Sequence, residues 1–229
     1  MKQIEITDAY RNILFSIPLF RDLQDYIKKK LLDILEVKAL EIAKNEIVIT
    51  QGSTCKKLYV LLKGKLQTDI IDANGGKVLI EYIMPPRTFA TPHLFKEDNR
   101  FPATFTAIED SVLLTASKES TFRLISEHPE ILKSFLCVSG KCNLCTTVRL
   151  DILSRKTLRE KIAAYLFQYK ERDRNSVKMI HSQTQLAEYL NVSRPALSTE
   201  INKMEKEGLI KKNGQKEIEM NIKILKEFL

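Results

Sequence analysis

Apolar residues recur at two spacings along the chain, and each spacing predicts a different kind of element. Residues 10–35 carry leucines and isoleucines at helical intervals, with an interruption at Pro18. Short runs of β-branched and aromatic residues follow, and glycine or asparagine turns separate several of them. The predicted strands are 37–43, 47–50, 58–62, 66–71, 78–83, 105–108 and 112–115. Short strands at even intervals are typical of a β-sandwich or β-barrel, which we expect here.

A second helical region follows the predicted strands. Residues 118–128 have a helical pattern, and a long helix is predicted from Pro129 to residue 154. Seven positions on this long helix step alternately by four and three residues: Ile131, Phe135, Val138, Cys142, Cys145, Arg149 and Ile152. This a/d pattern predicts that the helix pairs with its copy in a second chain. The alternative is a helix packed on its own barrel, and Gly140 marks either close helix approach or a flexible point.

The C-terminal part contains two short helices joined by a tight turn. Ser182 and Gln185 have the spacing of a capping box at the start of the first helix. Asn191 lies at the turn, where a left-handed backbone is needed and asparagine tolerates it. Ser193 is placed to cap the second helix, and Pro195 falls in its first turn, where a missing N–H costs little. The pattern predicts a helix-turn-helix, whose second helix enters the DNA major groove.

Polar and basic side chains remain on the outer surface of this motif, as contacts with bases and phosphates require. The residues predicted to contact DNA are Thr184, Ser193, Arg194, Pro195, Ser198, Thr199, Asn202, Lys203 and Lys216. The last of them, Lys216, lies on a hairpin that follows the two helices. The alternative is a plain helical hairpin with a solvated face.

A hairpin follows the two helices. Predicted strands at 209–212 and 217–220 flank Asn213-Gly214, a dipeptide typical of tight hairpin turns. We interpret this hairpin as a wing, with three lysines available for phosphate contacts: Lys211, Lys212 and Lys216. Residues 222–229 are predicted to form a short closing helix.

Composition and charge support this division of the chain. The 229 residues carry a formal net charge of +8. Residues 155–229 hold 16 lysines and arginines against 10 acidic residues, so the basic excess is concentrated in the predicted DNA-binding part. The sequence has neither a signal-peptide pattern nor an apolar run of membrane-spanning length, so we expect a cytoplasmic protein that does not contact a membrane.

The order of the predicted elements resembles the Crp/Fnr family of bacterial transcription regulators. The segment from Gly52 through Leu58 to Gly64 is similar to the family's barrel signature, and the segment from Thr184 to Ser198 is similar to its DNA-binding motif. The resemblance implies an α+β fold with three parts. These are a cyclic-nucleotide-binding-like β-barrel (a double-stranded β-helix, or jelly roll) in 1–128, a long dimerisation helix in 129–154, and a winged helix-turn-helix in 155–229.

The resemblance also implies partners. A homodimer joined along the long helix would bind a palindromic operator on double-stranded DNA and contact RNA polymerase. A small-molecule or redox signal at the barrel would control it. We therefore predict a DNA-binding transcription regulator and not an enzyme.

The sequence departs from the family where nucleotide-binding members hold their ligand. The corresponding effector-pocket residues here are Phe89, Ala90, Thr91, His93, Phe101, Pro102 and Ala103. Nucleotide-binding members have Phe-Gly-Glu and, downstream, Arg-Ser/Thr-Ala. Here Thr91 replaces the glutamate that accepts from the ribose, and Phe101 replaces the arginine that pairs with the phosphate. Without these charge-assisted contacts, cyclic AMP is not expected to be the effector.

The DNA-binding motif departs as well. Cyclic-AMP-type members have Arg-Glu-Thr and a later arginine, whereas this chain has Arg194-Pro195-Ala196 and Thr199. The glutamate that accepts from cytosine and an arginine that contacts guanine are both missing. We therefore expect a palindromic operator of different sequence.

No cofactor is predicted, and a haem or an iron–sulfur cluster is the alternative as a sensing group. Cys142 and Cys145 lie three residues apart on a predicted helix and are weak candidates for metal ligands or redox sensing. The family's iron–sulfur members use cysteines mainly near the N-terminus, where this chain has none. His93 is a candidate haem ligand, with a plain loop histidine as the alternative.

Two further classes of function agree less well with the sequence. An enzyme on a cupin-like barrel would need clustered histidines, whereas His93, His128 and His181 lie far apart in the sequence. A regulatory module that binds a partner protein and not DNA would leave the second helix and the wing unexplained.

Overall fold

The computed structural model describes residues 1–171, 174–214 and 216–229, and the side chains of 142–145 lie outside that description. The chain divides into two compact units, residues 1–145 and residues 146–229. The mixed helix and strand content agrees with the predicted fold class.

Two helices and a short strand open the first unit. The bounds are β1 Lys2–Ile4, α1 Asp8–Ser16 and α2 Asp25–Leu35, with Pro18 in the segment between the helices. The Thr7 side chain caps α1 by accepting a hydrogen bond from the backbone N–H of Tyr10. Ile27, Leu31 and Leu35 recur at helical spacing and are buried, so α2 packs one apolar face into the unit.

Two antiparallel sheets form the β part of this unit. The strands are β2 Lys38–Ile42, β3 Ile47–Ile49, β4 Lys57–Lys63, β5 Leu66–Ile71, β6 Lys77–Ile83, β7 Arg87–Phe89, β8 Thr104–Ala107 and β9 Ser111–Ser117. The strand orders are β1-β2-β9-β4-β7 and β3-β8-β5-β6. One continuous apolar core includes buried residues from both sheets and from α1 and α2. All of the strands predicted between positions 37 and 115 are present, whereas β1 and β7 were not predicted.

Gly64, at the tight turn between β4 and β5, has a backbone that only glycine fits. Its φ is +86°, and a Cβ there would lie 2.2 Å from Ser111 Oγ and 2.6 Å from the carbonyl oxygen of Asp110. The glycine therefore permits the close approach of this turn to the residues that begin β9.

The long helix is present, and the described residues of its predicted apolar stripe are largely buried within this chain. After α3 Thr91–Leu94 and α4 Lys118–Glu127, α5 runs over Pro129–Ser154. Ile131 and Phe135 are only 1% and 5% exposed, because they belong to the core of the first unit. Val138 packs against the same core.

In the second unit, Arg149 and Ile152 on the same helix are also buried, and the side chains of Cys142 and Cys145 lie outside the described residues. The dimer seam stays a prediction. Its described members are buried within this chain itself, Ile131 and Phe135 in the core of the first unit and Arg149 and Ile152 in the second unit.

The second unit contains a three-stranded sheet and several short helices. The bounds are α6 Leu158–Tyr169, β10 Ser176–Lys178, α7 Gln183–Tyr189, α8 Arg194–Lys206, β11 Ile210–Asn213, β12 Glu217–Met220 and α9 Ile222–Leu225, followed by a 3-10 turn at Lys226–Phe228. The sheet order is β10-β12-β11. Strand β10 was not predicted. It pairs with β12 and extends the hairpin of β11 and β12 into a sheet.

Candidate nucleic-acid interface and barrel interior

The helix-turn-helix formed by α7 and α8 has the predicted local structure. The capping box is formed: the Ser182 hydroxyl accepts from the Gln185 backbone N–H, and the Gln185 side chain accepts from the Ser182 backbone N–H. Asn191 takes a left-handed backbone with φ of 55° at the turn. The Ser193 side chain accepts from the Ala196 backbone N–H, and Pro195 occupies the first turn of α8. These local signals position α8 relative to α7.

One face of α8 is buried and the opposite face is free of the core. Leu197, Ile201 and Met204 are buried in the second unit, as predicted. A stripe of residues spaced by four, three and four lies on the opposite side and is exposed: Pro195, Thr199, Asn202 and Lys206. The other predicted contacts Thr184, Ser193, Arg194, Lys203 and Lys216 are also exposed, and Ser198 is half-buried. The outer surface of α8 is therefore polar and basic.

The wing formed by β11 and β12 is tied to α8 by a lysine. The Lys212 ammonium lies 2.8 Å from Glu205 Oε2 and donates to Asn202 Oδ1 at 2.8 Å. The backbone N–H of Lys212 donates to Glu205 Oε1 at 2.9 Å. These hydrogen bonds from Lys212 lower the pKa of Glu205. Lys212, which was predicted to be available for phosphate contacts, is paired with Glu205 in this structure, and its phosphate contact stays a prediction.

A second ion-pair cluster holds α8 against α6, and the sequence patterns did not reveal it. Arg159 donates to Glu200 Oε1 at 2.6 Å and to Glu207 Oε2 at 2.6 Å. Its guanidinium also lies 5.5 Å from the centre of the Phe228 ring. The Arg159 hydrogen bond lowers the pKa of Glu207. A single arginine of α6 thus neutralises one carboxylate within α8 and one at its C-terminal end.

A buried aromatic cluster supports the start of the motif. The Tyr165 hydroxyl and His181 Nδ1 are 2.9 Å apart, and the His181 ring stacks on Tyr189 with centroids 4.9 Å apart. Arg149 Nε donates to the Tyr189 carbonyl oxygen at 3.1 Å, and its guanidinium lies 5.1 Å from the centre of that ring. Burial raises the pKa of both tyrosines. Arg149, assigned by the sequence to a dimer seam, therefore fastens α5 to the C-terminal end of α7.

The predicted effector-pocket residues line an aromatic cluster inside the first unit. Phe89 and Phe101 are buried, and their ring centroids lie 5.4 Å and 5.9 Å from that of Phe105. Tyr59 lies 5.5 Å from Phe89 and 6.1 Å from Phe101, and His93 lies 6.2 Å from Phe101. The rings occupy the position at which the family resemblance placed a phosphate-binding arginine.

The remaining pocket residues differ in their exposure. Ala90, Thr91 and Ala103 are buried, whereas Pro102 is exposed. Ala90 has φ of 59°, a left-handed conformation in which an L-residue costs roughly 1–2 kcal/mol. The nucleotide-binding members that the sequence resembles have glycine at this position, and glycine takes a left-handed backbone without that cost.

Two arginines near this region are held elsewhere. Arg87 Nη1 donates to Glu81 Oε2 at 2.8 Å, and Arg100 Nη1 donates to the Gly52 carbonyl oxygen at 3.2 Å. Neither guanidinium replaces the missing phosphate contact in this arrangement.

His93 is the histidine of the aromatic cluster. Its Nδ1 is buried and makes no hydrogen bond within the described residues. Burial is the main cause that lowers the pKa of His93, and the charge of Lys96 lowers it further. The imidazole is therefore held neutral at physiological pH, as a pocket lined by aromatic rings favours.

The described residues contain no cluster of three or more histidine, cysteine or acidic side chains able to hold a metal ion. Cys55 is buried and Cys137 is exposed, whereas the candidate ligands Cys142 and Cys145 lie outside the described side chains. Among the described helices, none combines the length and the apolar character needed to cross a bilayer.

Two family models match separate parts of the chain. The cyclic nucleotide-binding domain matches residues 39–128, and the Crp-like helix-turn-helix domain matches residues 160–227. The transcriptional activator protein FnrA of Stutzerimonas stutzeri is 20% identical over 205 residues, which are 87% of this chain and 82% of that protein. These matches cover both units described above.

Solved structures share the fold. A CooA variant from Carboxydothermus hydrogenoformans has a TM-score of 0.70 at 16% identity, covering 87% of this chain and 94% of that one. FixK2 from Bradyrhizobium japonicum has a TM-score of 0.65 at 14% identity, covering 84% of this chain and 96% of that one. At such identities these two structures are evidence for the fold alone.

Proposed function

This chain belongs to the Crp/Fnr family of DNA-binding transcription regulators, and we propose that a homodimer of it binds a palindromic operator through α8. The observation that carries the proposal is the outer face of α8, which is polar, basic and turned away from the core. Arg194 at its start is the strongest base-contacting candidate, because a guanidinium can donate two hydrogen bonds to guanine O6 and N7.

In-vitro selection from random duplex DNA tests this function. We expect the protein to enrich an inverted repeat with half-sites about one helical turn apart. Arg194→Ala should weaken binding to that site by about 1–3 kcal/mol while sparing random DNA. Arg21→Ala, an exposed arginine of the first unit, is the matched control and should bind as wild type does. Failure to enrich any sequence would contradict the proposal.

The proposed dimer contact moves to the exposed side of α5. Leu132 and Leu136 lie four residues apart on one face of α5, and they are 40% and 62% exposed. Two neighbouring leucines exposed on one helix face are unusual. Gly140 continues this spacing, and a Cβ built there meets nothing within 4 Å among the described residues. None of these residues requires a glycine at that position, whereas close approach of a second copy would favour one.

Substitution on this face tests the dimer. Leu136→Asp should produce folded monomers by light scattering, because it places a charge in the apolar contact. Tyr26→Asp, an equally exposed position on α2, is the control and should stay dimeric. Phe135→Asp should instead lower the melting temperature, since Phe135 is buried in its own unit. A stable Leu136→Asp dimer would refute this face.

We further propose that the controlling signal is not a cyclic nucleotide. The support is Phe101, whose buried ring packs among other rings where a phosphate would need an arginine. A phosphate buried without a charged partner loses several kcal/mol. Calorimetric titration with cyclic AMP and cyclic GMP should show no saturable heat, and binding in the micromolar range would contradict this proposal.

A further inference from the structure

Asn202 on the outer face of α8 is held in one amide orientation by the wing. On the basis of the proposed DNA contact of α8, we propose that Asn202 recognises its base pair only as a hydrogen-bond donor. Lys212 binds the amide oxygen, so the side chain selects guanine or thymine at that position and does not select adenine.

The orientation of the amide follows from the chemistry of its partner. The Lys212 ammonium lies 2.8 Å from the Asn202 side chain. An ammonium has three donors and no acceptor, so the amide atom that faces it is the oxygen and not the nitrogen. The ammonium therefore fixes which end of the Asn202 amide is the oxygen and which is the nitrogen, an assignment that is often ambiguous for asparagine.

Lys212 is itself fixed at two points by Glu205. One carboxylate oxygen accepts from the Lys212 backbone N–H at 2.9 Å, and the other lies 2.8 Å from the ammonium. Glu205 is on α8, three residues after Asn202, and Lys212 is on β11. The three residues join the recognition helix to the wing, so the amide is preorganised before DNA is present.

The position of Asn202 gives this orientation a consequence for DNA. Asn202 is exposed on the stripe that also contains Thr199 and Lys206, opposite the buried face of α8. An asparagine that selects adenine uses both ends of its amide: the oxygen accepts from N6 and the nitrogen donates to N7. The oxygen keeps a second lone pair, but the Lys212 ammonium beside it disfavours the approach of another donor such as adenine N6. The two N–H donors of Asn202 are therefore the groups left for a base.

Donors alone favour bases that present acceptors in the major groove. Guanine presents N7 and O6 and thymine presents O4, whereas adenine adds a competing N6 donor beside its N7. One hydrogen bond of this kind contributes roughly 1 kcal/mol, or about fivefold in selectivity. We expect this preference at one base pair in each half-site.

The test is in-vitro selection with four proteins at one salt concentration. Asn202→Ala should lose about fivefold preference at a single base pair of each half-site. Wild type should prefer guanine or thymine there. The double variant Glu205→Gln/Lys212→Met removes the ammonium without leaving a lone carboxylate, and it should gain adenine at the same base pair. Lys211→Met, an exposed lysine of the same strand, is the control and should weaken all sequences equally.

Several results would overturn the inference while leaving the proposed function intact. The first is that Asn202→Ala enriches the same operator with the same base preferences as wild type. The second is that wild type prefers adenine at the affected base pair. The third is that the double variant has the same base preference there as wild type. Circular dichroism of each variant separates misfolding from altered recognition. Asn202→Ser repeats the test at the same exposed position with a different side chain. If wild type enriches no DNA at all, the proposed function and the inference fail together.

Discussion

His93 makes the stability of the first unit depend on pH. Burial lowers the pKa of His93 in the folded chain below its ordinary value of 6.5. The unfolded chain then binds more protons than the folded chain, so the free energy of unfolding falls as the pH drops below about 6.5. Denaturant titrations between about pH 7.5 and pH 5 should show this loss, and His93→Gln should reduce it.

Lys96 supplies the control for this prediction. Its charge is the smaller of the two causes that lower the pKa of His93. Lys96→Met should therefore weaken the pH dependence without removing it. If His93→Gln keeps the full wild-type dependence, another group is responsible and the prediction is wrong.

Cys55 is expected to be chemically inert in the folded protein. Burial raises the pKa of Cys55 to about 11, and its thiol donates to the Lys57 carbonyl oxygen at 3.6 Å. Since the thiolate is the reactive form, oxidation and alkylation at neutral pH are both suppressed. A variant with serine at 137, 142 and 145 should not react with Ellman's reagent until guanidinium unfolds it, and then one thiol should react. Rapid reaction of the native variant would contradict this expectation.

At the scale of elements, Arg159 decides how firmly α8 is held. Removing it leaves Glu200 and Glu207 without the guanidinium that lies 2.6 Å from each. We expect Arg159→Met to lower the melting temperature and to weaken DNA binding, because two uncompensated carboxylates then repel phosphates. Melting curves and mobility shifts measure the two effects, and a variant that binds as wild type does would refute the role in DNA binding.

The stabilisation by the ion pair of Arg159 and Glu207 depends on pH. Arg159 lowers the pKa of Glu207 from its ordinary value of 4.5, so the stabilisation is present above pH 4.5 and is lost as the pH falls further. The difference in melting temperature between wild type and Arg159→Met should therefore shrink below about pH 4.5. Glu207→Gln is the control, and it should reduce that pH dependence in the wild-type background.

Elements whose signals are local could be predicted from the sequence, and those fixed by distant partners could not. The capping box of Ser182 and Gln185 and the turn at Asn191 depend on neighbours a few residues away, and both are present. Strand β7 has three residues and exists because Arg87–Phe89 pairs with Leu61–Tyr59 of β4, far along the chain. The link from Lys212 to Asn202 likewise depends on how the wing folds against α8.

The α5 stripe shows a further limit of sequence patterns. An apolar stripe at heptad spacing is required equally by a helix that packs on its own unit and by one that pairs with a copy. The pattern therefore could not decide what covers Ile131 and Phe135. The burial of both within their own core favours the helix packed on its own unit, and the exposed Leu132 and Leu136, one position further along, are the proposed candidates for a partner.

At the scale of the whole molecule, the division into residues 1–145 and 146–229 predicts separable stabilities. Leu61 is fully buried in the first unit and Leu197 in the second. Each Leu→Ala change should cost about 2–5 kcal/mol through lost burial and the cavity it leaves. We expect Leu61→Ala to speed hydrogen exchange mainly in residues 1–145, and Leu197→Ala mainly in residues 146–229, when exchange is followed by mass spectrometry.

The two variants control each other, because the substitution and the degree of burial are the same. An exposed change such as Leu150→Ala should alter exchange in neither unit. If Leu197→Ala accelerated exchange equally in both units, the chain would unfold as one cooperative body. In that case a signal received by the barrel would have to act through global stability. Separable exchange instead leaves the barrel free to change state while the α7–α8 motif keeps the geometry that presents Arg194 and Asn202 to DNA.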